Sequence, residues 1–170
     1  LHSSGLIILN NVTFKDNTAD NGGAISATGD YIINNAIFTN NTASEDGGAI
    51  IAWDKLTINN ATFTNNAASG SGGAIYTNEG ELTIRDSTLC NNITKEEYST
   101  GGAIDNHKGD ITIIESTLTG NTAQWSGGAI YSNKEINISN CRFTIKCSCT
   151  SHQNCKTHRS SDISDCLAYI

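Results

Sequence analysis

The chain has 170 residues, of which 37% are apolar and only 16% charged, with 16 Gly, 6 Cys and neither Pro nor Met. This length suits one domain with a core of its own, and so low a charge content argues against charge-driven disorder. A net charge of −7 excludes the broad basic face that nucleic acid or an anionic membrane requires, and no apolar run reaches the roughly 18 residues of a membrane span. The opening Leu1-His2-Ser3-Ser4-Gly5 lacks the basic and apolar regions of a signal peptide. With no Met anywhere, the chain reads as a segment of a longer precursor or a processed product.

In chain order, Ile7-Ile8-Leu9 forms a first strand-like triplet, Phe14 and Asn17 follow with a spacing of three, and Gly22 opens the tetrapeptide Gly-Gly-Ala-Ile. The same series then recurs. Triplets return at Tyr31-Ile32-Ile33, Leu56-Thr57-Ile58, Leu82-Thr83-Ile84, Ile111-Thr112-Ile113 and Ile136-Asn137-Ile138. The aromatic or leucine and its asparagine return as Phe38/Asn41, Phe63/Asn66, Leu89/Asn92 and Leu118/Asn121. Gly-Gly-Ala-Ile begins again at Gly47, Gly72, Gly101 and Gly127, at intervals of 25, 25, 29 and 26. Fixed phase among three motifs signals a repeat architecture.

Glycine pairs disfavour helix by roughly 1 kcal/mol per residue, and the apolar spacing of two in Leu56/Ile58 fits strands. The repeat therefore predicts an all-β parallel β-helix, or β-solenoid, of about five to six coils with three short strands each, whose rungs lie about 4.8 Å apart. Phe14, Phe38, Phe63, Leu89, Leu118 and Phe143 form one interior column in this reading, and Ile25, Ile50, Ile75, Ile104 and Ile130 form another. Asn17, Asn41, Asn66, Asn92 and Asn121 form an asparagine ladder that also satisfies backbone groups at the turns. One glycine of each pair can take positive φ, and the missing side chains let successive backbones approach.

The paired Gly-Gly-Ala-Ile and Phe-x-x-Asn motifs resemble the repeats of chlamydial polymorphic outer membrane proteins and of related adhesin-like surface proteins of gut methanogens and other microbes. The resemblance covers about Leu6 to Thr144 and departs from the pattern at Leu89, Leu118 and Lys146. It implies a right-handed parallel β-helix in the surface-exposed part of an adhesin, and in the chlamydial case the passenger of an autotransporter of the outer membrane. On this basis residues 1–146 are assigned to the repeat domain, with residues 147–170 as a Cys-rich tail.

Stacking turns repeat alignment into proximity, so each column can be read for chemistry. The residues before the triplets bring Glu81, Asp110 and Glu135 together, either as carboxylates splayed into solvent or around a Ca2+ ion that would raise the melting temperature. Three residues before the stacked aromatics, Asp86 and Glu115 fall in neighbouring coils, a spacing compatible with retaining glycoside hydrolysis or with simple substitution in an asparagine column. The stretch from Leu89 to Gly101 is longer than its counterparts, so residues 91–100 are expected to protrude as a loop. Lys95, Glu96, Glu97 and Tyr98 on that loop, with exposed Tyr76 and Tyr131 near Trp53 and Trp125, are the candidate binding residues. His107-Lys108 reads as a turn tip.

Cys147, Cys149, Cys155 and Cys166 crowd the tail, where they fit disulfides stapling a cap, a weakly matching zinc site with His158, or sequence without an evolved fold. The functional expectation is a non-enzymatic, cofactor-free segment at the cell surface that contacts a glycan or protein of a host or neighbouring cell. The alternatives are a polysaccharide hydrolase or lyase and a passive stalk. No nucleic acid and no membrane insertion is expected within the segment.

Overall fold

The computed structural model describes residues 1–3, 5–144 and 167–169, which form strands and turns with no helix. The coils stack into four parallel sheets, and every pairing joins a strand to its equivalent one coil away. The first sheet holds the strands that end the glycine motif, Ile25–Ala27, Ile50–Ala52, Ile75–Thr77, Ile104–Asn106 and Ile130–Ser132, between His2–Ser3 and Leu167–Tyr169. The predicted triplets make the second sheet, from Ile7–Asn10 to Ile136–Ser139, and the Phe/Leu segments the third, from Thr13–Lys15 to Arg142–Thr144. With six strands in the second sheet and six in the third, the chain is a β-solenoid of about six turns.

Both predicted core columns are in register. Phe14, Phe38, Phe63, Leu89, Leu118 and Phe143 pair in succession, as do Ile25, Ile50, Ile75, Ile104 and Ile130. The Phe38 and Phe63 rings lie 4.5 Å apart and 2° from parallel, and the side chains of the inner coils are fully buried. Burying each such side chain contributes roughly 1.5–3 kcal/mol, which is why a period of two suffices to select the inward face.

A fourth sheet departs from the three expected strands per coil. Thr18–Ala19, Thr42–Ala43, Ala67–Ala68 and Ile93–Thr94 pair in parallel just after the ladder asparagines. Two residues are too few to show an alternating pattern, so this strand leaves no periodic trace in the sequence.

Glycine placement follows from close approach. Gly47 has φ +66°, and a Cβ on Gly48 would lie 2.6 Å from the Ala67 carbonyl carbon in the next coil. The coil corners have a second signature. Asn11, Asn35, Asn60, Asp86, Glu115 and Asn140 all take φ between 49° and 56°. On the far side of the third sheet, Asp16, Asn40, Asn65, Asn91 and Gly120 have φ between 54° and 66°. Asn and Asp tolerate the left-handed region better than other non-glycine residues, so these columns are Asn-rich for a backbone reason.

The tail cysteines Cys147, Cys149, Cys155 and Cys166 lie outside the described residues. Leu167–Tyr169 nevertheless extends the first sheet, pairing in parallel with Ile130–Ser132.

Candidate functional site

The asparagine ladder is present as predicted and is structural. Asn66 Oδ1 accepts from the backbone N–H and the Nδ2 of Asn41, both at 3.0 Å, while Asn66 Nδ2 donates to Asn92 Oδ1 and to the Phe38 carbonyl, each at 3.0 Å. Asn17, Asn92 and Asn121 repeat the pattern.

The carboxylate columns occupy the predicted corners. Backbone bonds from Leu56, Leu82 and Ile111 to the carbonyls of Glu81, Asp110 and Glu135 place these three residues one above another. Their side chains do not converge. Lys55 Nζ lies 3.1 Å from Glu81 Oε2, Asn137 Nδ2 donates to Glu135 Oε1 at 3.4 Å, and among the described residues no group of three or more His, Cys, Asp or Glu is arranged to hold a metal ion. Asp86 and Glu115 are both solvent-exposed and both in the left-handed corner column, with φ of 49° and 52°. That column owes its Asp and Asn content to backbone conformation.

The lengthened loop is smaller than expected. Asn92 remains in the ladder and Ile93–Thr94 pairs with Ala67–Ala68, while backbone bonds from Lys95 and Glu96 continue the stack. Only Glu97 and Tyr98 leave it, since the Ser99 carbonyl accepts from the Trp125 N–H of the next coil at 3.0 Å. Ser99, which is buried, anchors them: its hydroxyl donates to the Glu96 carbonyl at 2.6 Å and lies 2.8 Å from Thr94 Oγ1. Lys95, Glu96, Glu97 and Tyr98 all face solvent. Tyr98 has φ 70°, an outlying value for a bulky residue, and is 65% exposed; its ring meets that of Trp125, itself 48% exposed, at 4.9 Å.

Tyr76 and Tyr131 are half-buried instead of exposed, because they flank a carboxylate that sequence reading passed over. The residue after each Gly-Gly-Ala-Ile lies on the outer side of the first sheet. Along the solenoid these residues are Ser26, Ile51, Tyr76, Asp105 and Tyr131, in register. Asp105 has no exposed surface. Its Oδ2 accepts from Thr100 Oγ1, whose hydroxyl lies 3.1 Å from Ser71 Oγ, whereas its Oδ1 has no hydrogen-bond partner among the described residues. His107 Nε2 stands 3.7 Å from Oδ1, and the His107 ring meets Tyr76 at 5.3 Å. His107 is thus a cover over Asp105 and not just a turn tip. Aligning the repeats on Gly-Gly-Ala-Ile would have exposed the signal: one acid in a column otherwise made of neutral residues.

Burial pushes the Asp105 carboxyl up to about 6, with Asp46 adding to the rise, while the Thr100 hydrogen bond, His107 and Ser71 oppose it. Burial, followed by Asp46 and Asp105, pushes the Tyr76 phenol up to about 12, and burial and Asp105 raise that of Tyr131. Both states of the chain carry a protonated Asp105 below pH 3.8, and the folded state alone retains that proton between 3.8 and about 6. Stability falls as pH rises through this window and is flat above it. Once ionised, the buried carboxylate therefore costs the folded state stability at pH 7. Asp105→Asn is therefore expected to raise the melting temperature at pH 7 and to leave it unchanged near pH 3.5. Thermal melts of the two proteins across that range check this, and equal melts at pH 7 would refute it.

The family model for the Chlamydia polymorphic membrane protein repeat matches residues 11–28, 35–52, 60–78 and 115–133. Each match starts at a left-handed corner residue and runs through the third sheet to the glycine motif and the first sheet. Residues 79–114, with the enlarged loop and Asp105, lie between the third and fourth matches. No curated protein and no solved structure matches the chain. The four matched segments are thus similar to Chlamydia polymorphic membrane protein repeats, and the chain that carries them is a parallel β-solenoid.

Proposed function

We propose that the chain is the repeat segment of a cell-surface protein, exposed outside the cell, that makes adhesive contacts with a glycan or protein on a host or neighbouring cell. The matched repeats support a surface location, since this repeat type is that of outer membrane surface proteins. The single observation that carries the contact role is the exposed Tyr98–Trp125 pair. Two aromatic side chains from adjacent coils form a joined apolar surface on a stiff stack, and Tyr98 is held there in a left-handed conformation that a bulky side chain disfavours. Departures from the repeat concentrate in the same region, from the enlarged loop through Asp105 and His107. Lys95, Glu96 and Glu97, exposed immediately before Tyr98 in the chain, add charged groups to this surface. A rigid solenoid holding several such surfaces in a longer protein would bind by many weak contacts acting together.

Screening the chain against a glycan array and immobilised host-cell surface proteins tests this reading, with a Tyr98→Gly/Trp125→Ser double variant as comparison. Glycine relieves the backbone at position 98, so the variant is expected to keep its melting temperature and to lose saturable binding. Binding that survives the double substitution would place the contact elsewhere. No binding by either protein would favour a passive stalk.

A further inference from the structure

Asp105 is an expense the fold does not require. Ser26, Ile51, Tyr76 and Tyr131 occupy the same register position without charge, so a neutral side chain satisfies the sheet there. The chain instead buries a carboxylate completely, fixes one oxygen with Thr100, and leaves the other without a hydrogen bond among the described residues. Buried, incompletely paired carboxylates are candidates for function. What faces the free oxygen indicates the ligand. The His107 imidazole lies against Tyr76 and brings Nε2 to 3.7 Å from Oδ1, so the chain's own cationisable ring occupies a position suited to a planar cation. His107 is a cover of modest strength, because its side chain is 45% exposed and its contact with Oδ1 is longer than a hydrogen bond.

We propose that Tyr76, Asp105 and Tyr131 receive the guanidinium of an arginine side chain from a protein partner, with His107 swinging aside to admit it. This rests on reading the surrounding surface as the contact region and names the chemistry of its partner. The two tyrosines stand one coil either side of Asp105 and supply aromatic rings to flank a planar cation, while the carboxylate supplies the hydrogen-bond acceptor and opposite charge. Asp46 adds to the negative field, as the upward shift of the Tyr76 phenol reflects. A neutral sugar could donate a hydroxyl to Oδ1 but would leave the buried charge unbalanced.

The test is an NMR titration of the 170-residue chain with N-acetyl-L-arginine amide, with N-acetylglucosamine and N-acetyl-L-glutamine amide as neutral probes. Saturable shifts are expected at Tyr76, residues 100–107 and Tyr131 with the arginine probe alone. Asp105→Asn should weaken binding about tenfold, the loss of one charge-assisted hydrogen bond. That variant is expected to be the more stable fold, so misfolding would not account for the loss. His107→Ala should tighten binding by removing the competitor. Asp86→Asn makes the same change in net charge at an exposed corner and should leave binding unchanged. Affinity should also fall as pH drops through about 6, where Asp105 takes up its proton. The groups facing Asp105 are His107, Asp46, Tyr76 and Tyr131. Equal losses in Asp86→Asn and Asp105→Asn would reduce the effect to overall charge and overturn the proposal. So would weaker binding by His107→Ala, or shifts with N-acetylglucosamine alone. Failure of the arginine probe beside continued cell-surface binding through Tyr98 and Trp125 would overturn this inference and leave the contact role standing.

Discussion

Replacing Asn66 by alanine is expected to destabilise the chain by about 3–6 kcal/mol, far more than its surface counterpart Asn34→Ala, at about 1 kcal/mol or less. Both residues sit in asparagine ladders with similar geometry. Asn34 Nδ2 donates to Asn10 and Asn34 Oδ1 accepts from Asn59, each at 2.9 Å, and the bonds of Asn66 measure 3.0 Å. Burial separates them. Water replaces the partners of Asn34, whereas alanine at position 66 strands the backbone N–H and side-chain amide of fully buried Asn41, together with the Phe38 carbonyl. Each stranded group costs roughly 1–3 kcal/mol, and a repeat protein has no distant contacts to compensate, because each coil touches only its neighbours. Urea unfolding of both variants checks the difference. Equal losses would show that the ladder stabilises through local turn geometry and not through burial.

Gly48→Ala is expected to cost more than about 3 kcal/mol, enough to unfold the coils around it at ordinary temperature. The added Cβ would meet the Ala67 backbone at 2.6 Å for its carbonyl carbon and 2.7 Å for its nitrogen. Backbone cannot swing away as a side chain can. The rungs here are held by bonds from Gly48 N to Gly72 O at 3.0 Å and from Ala49 N to Ala74 O at 2.9 Å, so relief requires breaking the stack itself. Gly5→Ala supplies the contrast, with nothing within 4 Å of the new methyl group, and should be neutral. Circular dichroism melts of the two variants decide the matter. A Gly48→Ala protein that melts with the parent would mean the rungs can separate without loss of pairing.

The two variants also show why so much of this fold was legible in advance. Gly48 and Asn66 recur in phase with Phe63 and Ile75, and a parallel solenoid admits only one register for motifs that repeat in phase. Period-two spacing in Leu56-Thr57-Ile58 then chose the inward face. The fourth sheet escaped notice because Ala67–Ala68 is too short to alternate. Asp86 and Glu115 drew attention as a chemical pair because sequence spacing reports proximity and not φ, and their shared left-handed conformation appears only in the backbone. The loop was overestimated for a related reason: counting residues from Leu89 to Gly101 measures an insertion without saying that Ile93–Thr94 still pairs.

The sequence by itself determined the repeat, the stacking of Phe, Ile and Asn columns, and the places where only glycine fits, because each depends on periodicity along one chain. The tertiary structure alone decided which columns carry more than structure. Whether Tyr98 meets Trp125, whether Tyr76 is exposed or half-buried, and whether Asp105 keeps an unpaired oxygen beneath His107 all depend on side-chain packing between coils. Repeat spacing places those residues side by side. Burial then sets the energy of a charge among them, and burial is a property of the packed neighbours and not of the repeat.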